Sequence, residues 1–180
     1  MVALFALLPF VGLLASASPL IQRADNSTTI GQRIHCKPHH SVNADEWCVT
    51  AGNGNAAKRA PINIAYCFDD CSDWVEEQLW TAPEVGTPGS IALHSDLGTA
   101  LCLTALGPHV RAELSVDTCD KDQQTWTLTS SDQIVLEGTD LCLDVDVASN
   151  QTNQNPYVIL KDLQVSDCAE DSDSQKFTLI

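Results

Sequence analysis

The sequence predicts an all-β domain built from three four-stranded repeats, and three observations carry that expectation. The first is a triple echo. Gln78-Leu79-Trp80, Gln124-Thr125-Trp126 and Gln175-Lys176-Phe177 each hold a Gln, one variable residue and a large aromatic, with Thr following every time. They start at 78, 124 and 175, intervals of 46 and 51, and a period of roughly 40–50 residues marks a repeat architecture. The second is a pair of cysteines placed in phase with each echo. The third is short apolar segments alternating with period two between polar turns, with no stretch of convincing helical periodicity.

Each unit reads in the same order. A strand start comes first, as Ile34-His35-Cys36, Ile91-Ala92-Leu93 and Ile134-Val135-Leu136. A cysteine strand follows, as Cys48-Val49-Thr50, Cys102-Leu103-Thr104 and Cys142-Leu143-Asp144. After a loop comes an alternating apolar pair: Ile62-Asn63-Ile64 before Cys67, Leu114-Ser115-Val116 before Cys119, and Leu163-Gln164-Val165 before Cys168. The Gln-x-aromatic strand closes the unit. The units run roughly 34–83, 90–129 and 132–180, and Glu84–Gly89 is a connection between the first two. Four strands cannot bury their apolar face alone, so the units pack on one another. Closed about a pseudo-threefold axis they make a β-trefoil, which also removes exposed sheet edges. The repeated aromatic is then a core residue, and the Gln before it satisfies backbone groups of the adjoining loop.

Residues 1–17 read as a secretory signal peptide: Ala3–Leu14 is almost wholly apolar and Ala15-Ser16-Ala17 is a small-x-small cleavage site, although the n-region lacks Lys and Arg. The apolar run is too short to span a bilayer, so membrane insertion is not expected. Residues 18–31 read as a flexible tail and 32–180 as the domain. The expected location is extracellular. There, eight cysteines form a disulfide framework. Counting leaves roughly a hundred connectivities open. The repeat narrows them to Cys48–Cys67, Cys102–Cys119 and Cys142–Cys168, with Cys36–Cys71 remaining as a fourth pair. Asn26 and Asn150 head N-x-[ST] sequons, expected surface glycosylation sites.

A net charge of −15 argues against nucleic-acid or anionic-membrane partners, which need a basic patch. Acid gathers in Asp69–Glu77 and Asp167–Asp173. Calcium could be held by such carboxylates, but neither stretch has the Gly-turned spacing of a calcium loop, and both read as solvated loops. His35, His39 and His40 are the only histidine cluster; neighbours on a strand face opposite ways, so an exposed turn is the expectation. His94 and His109 stand alone. No metal and no cofactor are expected. No G-x-S-x-G elbow or H-E-x-x-H helix occurs, and three repeats leave no room for a catalytic domain, so the chain is not read as an enzyme.

The threefold array of C-L-D/T, φ-x-φ-x-x-C and Q-x-W resembles the ricin B-type lectins over nearly the whole mature chain. The resemblance implies shallow carbohydrate sites, often for galactose or galactose-containing glycans. It implies four positions per site: an Asp two residues after the first Cys, an aromatic two before the second, an amide two before that aromatic, and an Asn just before Q-x-W. Unit one offers Thr50, Ala65, Asn63 and Glu77; unit two offers Thr104, Asp117, Ser115 and Gln123. Both lack carboxylate and platform, and a hydroxyl does not replace a charge-assisted pair. Unit three offers Asp144, Ser166, Gln164 and Ser174, with Tyr157 in its long loop as a substitute platform or as a cover for the core. The expectation is a secreted carbohydrate-binding module, monomeric or weakly oligomeric, binding a galactose-type glycan or polysaccharide through unit three. The alternative is a secreted interaction or hydrolase-inhibitor protein that has lost sugar binding, presenting Asp69–Glu77 or Ala51–Ala60.

Overall fold

The protein is described by a computed structural model covering residues 31–36, 47–52, 56–93, 100–149 and 160–180. Asn26, Asn150, Tyr157, His39, His40, His94, the leader, almost all of the tail and the middle of the 51–60 loop lie outside them.

Unit one supplies β1 (Ile34–Cys36), β2 (Trp47–Ala51), β3 (Ile62–Tyr66) and β4 (Trp80–Thr81). A short β5 (Gly89–Ser90) follows. Unit two holds β6 (Ala92–Leu93), β7 (Leu101–Ala105), β8 (Leu114–Thr118) and β9 (Thr125–Leu128). Unit three holds β10 (Ile134–Leu136), β11 (Leu141–Val145), β12 (Lys161–Asp167) and β13 (Phe177–Leu179). The expected segments therefore all become strands. Two details differ: β5 takes part of the expected connection into the sheet by pairing Gly89 with Trp126, and 3-10 turns occupy Val75–Gln78 and Asp173–Gln175. Each turn sits just ahead of its aromatic strand, where a tight bend must bring the Gln back under the hairpin.

The three central hairpins share one register. Ala51 faces Ile62, Ala105 faces Leu114 and Val145 faces Leu163. Alternation then sends Val49, Leu103 and Leu143, all 0% exposed, into the core. Cysteines and the residues two places on point the other way. The third strands also bond to one another in a ring. Arg59 N–H donates to Val116 O at 2.6 Å, and Val116 N–H donates to Ala60 O at 3.0 Å. Arg111 and Ala112 repeat this with Val165 at 2.7 and 3.1 Å. Strand β12 closes the ring by pairing Lys161 with Ile64. These bonds, with single bridges such as Pro61–Ser115 and Glu113–Gln164, join a nine-stranded sheet and a four-stranded sheet into a closed β-trefoil. Arg59 and Arg111 hold φ of 68° and 65° to make the bonds, a left-handed conformation that costs a non-glycine residue about 1 kcal/mol.

One hydrophobic core runs through all three units, with Trp80 and Trp126 at 0% and Phe177 at 4% exposure. Each indole N–H is satisfied on the neighbouring hairpin: Trp80 donates to Val49 O and Trp126 to Leu103 O, both at 3.0 Å. Burying such a ring contributes about 3 kcal/mol or more.

Three disulfides form as the repeat predicts: Cys48–Cys67, Cys102–Cys119 and Cys142–Cys168, with Cα separations of 5.0, 5.0 and 4.9 Å. Closing loops of 19, 17 and 26 residues, each contributes about 3 kcal/mol on a chain-entropy view. The expected fourth pair does not form. Cys36 is a buried thiol and Cys71 an exposed one. The reason is directional: Cys36 faces the core from β1, while Cys71 lies on the turn beyond Cys67. Arg33 fastens that turn instead, donating to Phe68 O at 2.7 Å and to Asp70 at 2.6 Å. His35 corrects a second expectation. It lies half-buried on β1, between Cys48 and Thr178 in register, rather than on an exposed turn.

Candidate functional site

The three Gln residues of the repeated motif are buried and hydrogen-bonded in a common pattern. Gln78 Oε1 accepts from Phe68 N–H at 2.8 Å while its Nε2 donates to Tyr66 O at 2.8 Å. Gln124 accepts from Lys121 N–H at 2.9 Å and donates to Thr118 O at 2.7 Å. Gln175 accepts from Ala169 N–H at 2.8 Å and donates to Asp167 O at 3.0 Å. Each amide pins the chain around its unit's second cysteine, so the motif is structural in all three units.

What differs is the residue two places after the first cysteine. Gln78 Nε2 also donates to Thr50 Oγ1 at 2.9 Å, and Gln124 Nε2 to Thr104 Oγ1 at 2.8 Å. Each threonine hydroxyl in turn donates to the carbonyl of its own strand's cysteine, at 2.9 Å. Thr50 is 0% and Thr104 6% exposed. A hydroxyl that already donates and accepts, and is sealed from solvent, has little left to offer a ligand. Sequence reasoning saw these threonines as weak substitutes for a carboxylate; it missed that they complete the Gln anchor. The signal was present, since Thr and Q-x-W occur together in these two units.

The platform positions are equally altered. Ala65 is 1% exposed. Asp117 sits there in unit two and is held by Thr118 N–H at 2.7 Å and by Lys58 at 3.2 Å. The Thr118 N–H bond, with Lys58 beside it, holds this carboxyl below its ordinary range.

Unit three is different. Asp144 on β11 lies directly across from Gln164 on β12, and Cys142 across from Ser166. Asp144 Oδ1 is buried and has no hydrogen-bond partner among the described residues. Gln175 does not take it up: its Nε2 donates to Asp167 O at 3.0 Å, and its Oε1 receives Gln133 Nε2 at 3.2 Å. Gln164 and Ser166 remain half-buried on the same outer face. Ser174, on the 3-10 turn, shares a 2.8 Å hydrogen bond with Ser172. The structure thus brings Asp144, Gln164 and Ser166 together on one hairpin face. It seats Ser174 on the turn that precedes β13, and Tyr157 lies outside the described residues.

No group of three or more His, Cys, Asp or Glu that could hold a metal is found among the described residues. No described helix is long and apolar enough to cross a membrane.

The profile of the ricin-type β-trefoil lectin domain matches residues 39–177. The chain therefore belongs to the ricin-type β-trefoil lectin family, whose fold is a carbohydrate-binding module. No curated protein matches it significantly. Among solved structures, the C-terminal domain of an earthworm lectin, in mutant form with 6′-sialyllactose, is similar with a TM-score of 0.54 and 15% identity. It covers 83% of this chain and 97% of that one. The C-half of the earthworm R-type lectin with GalNAc gives the same values. The mdaA-1 domain is similar at a TM-score of 0.55 and 13% identity, over 83% and 89%. At these identities the likeness speaks for the fold.

Proposed function

We propose that the protein is a secreted, non-catalytic lectin whose working sugar site lies in the third unit, on Asp144 and Gln164 with Ser174 at the margin. One observation carries this reading: Asp144 Oδ1 is a buried acceptor without a partner, whereas Thr50 and Thr104 at the same place are fully engaged. An unmatched buried carboxylate oxygen costs about 1–3 kcal/mol, and a ligand hydroxyl donating to it recovers that cost. Gln164, across the hairpin, supplies a donor and an acceptor for a neighbouring hydroxyl. Tyr157 supplies the apolar face that Ser166 does not. A galactose-type residue is the ligand class, in keeping with the GalNAc and sialyllactose held by the earthworm lectins.

Residues 1–17 serve as the secretory leader and 18–31 as a tail, with the domain over 32–180. Asn26 and Asn150 are the glycan acceptors. Three disulfides fit an oxidising compartment. A single shallow site binds weakly and gains strength on a dense glycan surface. A glycan array tests the reading: the mature protein should retain galactose-terminated glycans, and Asp144→Ala should lose them. Equal retention by the variant would reject Asp144 as the sugar acceptor.

A further inference from the structure

A cavity lies between the units rather than within one. It measures about 460 Å³ and is lined from all three third strands and the loops beside them. That volume falls inside the roughly 300–1,000 Å³ range of small-molecule sites. Its polar side chains are Asn63 from unit one, Arg111 and Glu113 from unit two, and Asp146, Asp162 and Gln164 from unit three. The hairpin registers bring them together, since Asp162 pairs with Asn63 and Glu113 bridges to Gln164.

Two features mark it as built for a ligand. Asn63 is only 8% exposed, yet its side-chain amide makes no hydrogen bond to a described residue while lining the cavity. The amide is not sealed from solvent, so it is free to bond whatever enters the cavity. Arg111, Glu113, Asp162 and Gln164 likewise make no side-chain hydrogen bond or ion pair to another described residue. Only Asp146 is partly committed, accepting from Ala148 N–H at 3.0 Å.

We infer that this inter-unit cavity binds an amino sugar, a hydroxylated ring carrying a protonated primary amine. Three carboxylates face one guanidinium, so the lining carries excess negative charge, and the chain's own charge of −15 reinforces it. Anionic sugars are repelled and an ammonium is attracted. Asn63 offers a donor and an acceptor to ring hydroxyls and Arg111 donates to hydroxyl oxygens, while Gln164 at the rim is left to the unit-three site. Exposed Pro61 supplies an apolar contact for the C–H face of a sugar ring. A bare cation is not favoured, because these carboxylates form no metal-type cluster.

Calorimetric titration with the de-N-acetylated glucosamine dimer tests the inference, with the N-acetylated dimer and putrescine as comparison ligands. Wild-type protein should bind the free-amine dimer, and the other two should bind at least about tenfold more weakly, the loss of one charge-assisted contact. Asp162→Asn and Glu113→Gln, both at exposed positions, should each weaken the dimer about tenfold while a galactose-type glycan still binds in unit three. Asp144→Ala should do the reverse, so failure of one site is told apart from failure of the other. Thermal melts establish that the variants are folded. Equal binding of the N-acetylated dimer, or of putrescine, would overturn the amino-sugar assignment. So would wild-type affinity in both charge variants, loss of dimer binding in Asp144→Ala, or no dimer binding at all.

Discussion

Gln78 and Thr50, 28 residues apart, are joined by a buried 2.9 Å hydrogen bond from the amide to the hydroxyl. Gln124 and Thr104 repeat it at 2.8 Å. This bond couples the repeated motif to the strand that would carry a sugar-binding carboxylate, and so closes two of the three equivalent positions. Gln78→Ala removes the amide from Thr50, Phe68 N–H and Tyr66 O together. It should cost about 3 kcal/mol, set by the groups left unpaired. Urea unfolding measures it; a loss below about 0.5 kcal/mol would mean that water replaces the amide freely.

Ser115 occupies in unit two the place that Asn63 and Gln164 hold in the others, and its Oγ is buried without a partner. Ser115→Ala should therefore leave stability unchanged or raise it by about 1 kcal/mol. A drop of that size would show that the hydroxyl is satisfied in solution.

The cysteine arrangement predicts three bridges and two thiols. Non-reducing mass mapping should find Cys48–Cys67, Cys102–Cys119 and Cys142–Cys168, and a thiol reagent should label Cys71 on the native protein and Cys36 only after unfolding. Burial pushes the Cys36 thiol up from 9.0 to about 12. The folded state then holds the proton more tightly than the unfolded one, so this contribution is complete below pH 9 and is lost as pH rises toward 12. Wild-type stability should fall more steeply over that window than that of Cys36→Ala. Equal slopes would place Cys36 in a solvated or bonded state.

The strands and their order were legible in the sequence because hydrophobic alternation and the Gln-x-aromatic spacing are local signals, each repeated three times. The within-unit disulfides followed from the same repeat. Cys36–Cys71 was misread because elimination has no sense of direction: only the fold reveals that Cys36 faces inward and that Arg33 already holds the turn. The loss of carboxylates at Thr50 and Thr104 was visible, but their bonds to Gln78 and Gln124 span 28 and 20 residues and required the closed hairpins. The inter-unit cavity was not legible as a cavity. Asn63 and Gln164 hold the same repeated place, but Arg111, Glu113, Asp146 and Asp162 belong to no motif. Register alone assembles Asn63, Glu113 and Gln164.

Titration of ¹⁵N-labelled protein with galactose, followed by amide chemical shifts, locates the sugar site residue by residue. Shifts should be confined to unit three, centred on Asp144, Gln164 and Ser166, with Thr50 and Thr104 unmoved. Shifts centred on Thr50 or Thr104 with Asp144 silent would contradict it.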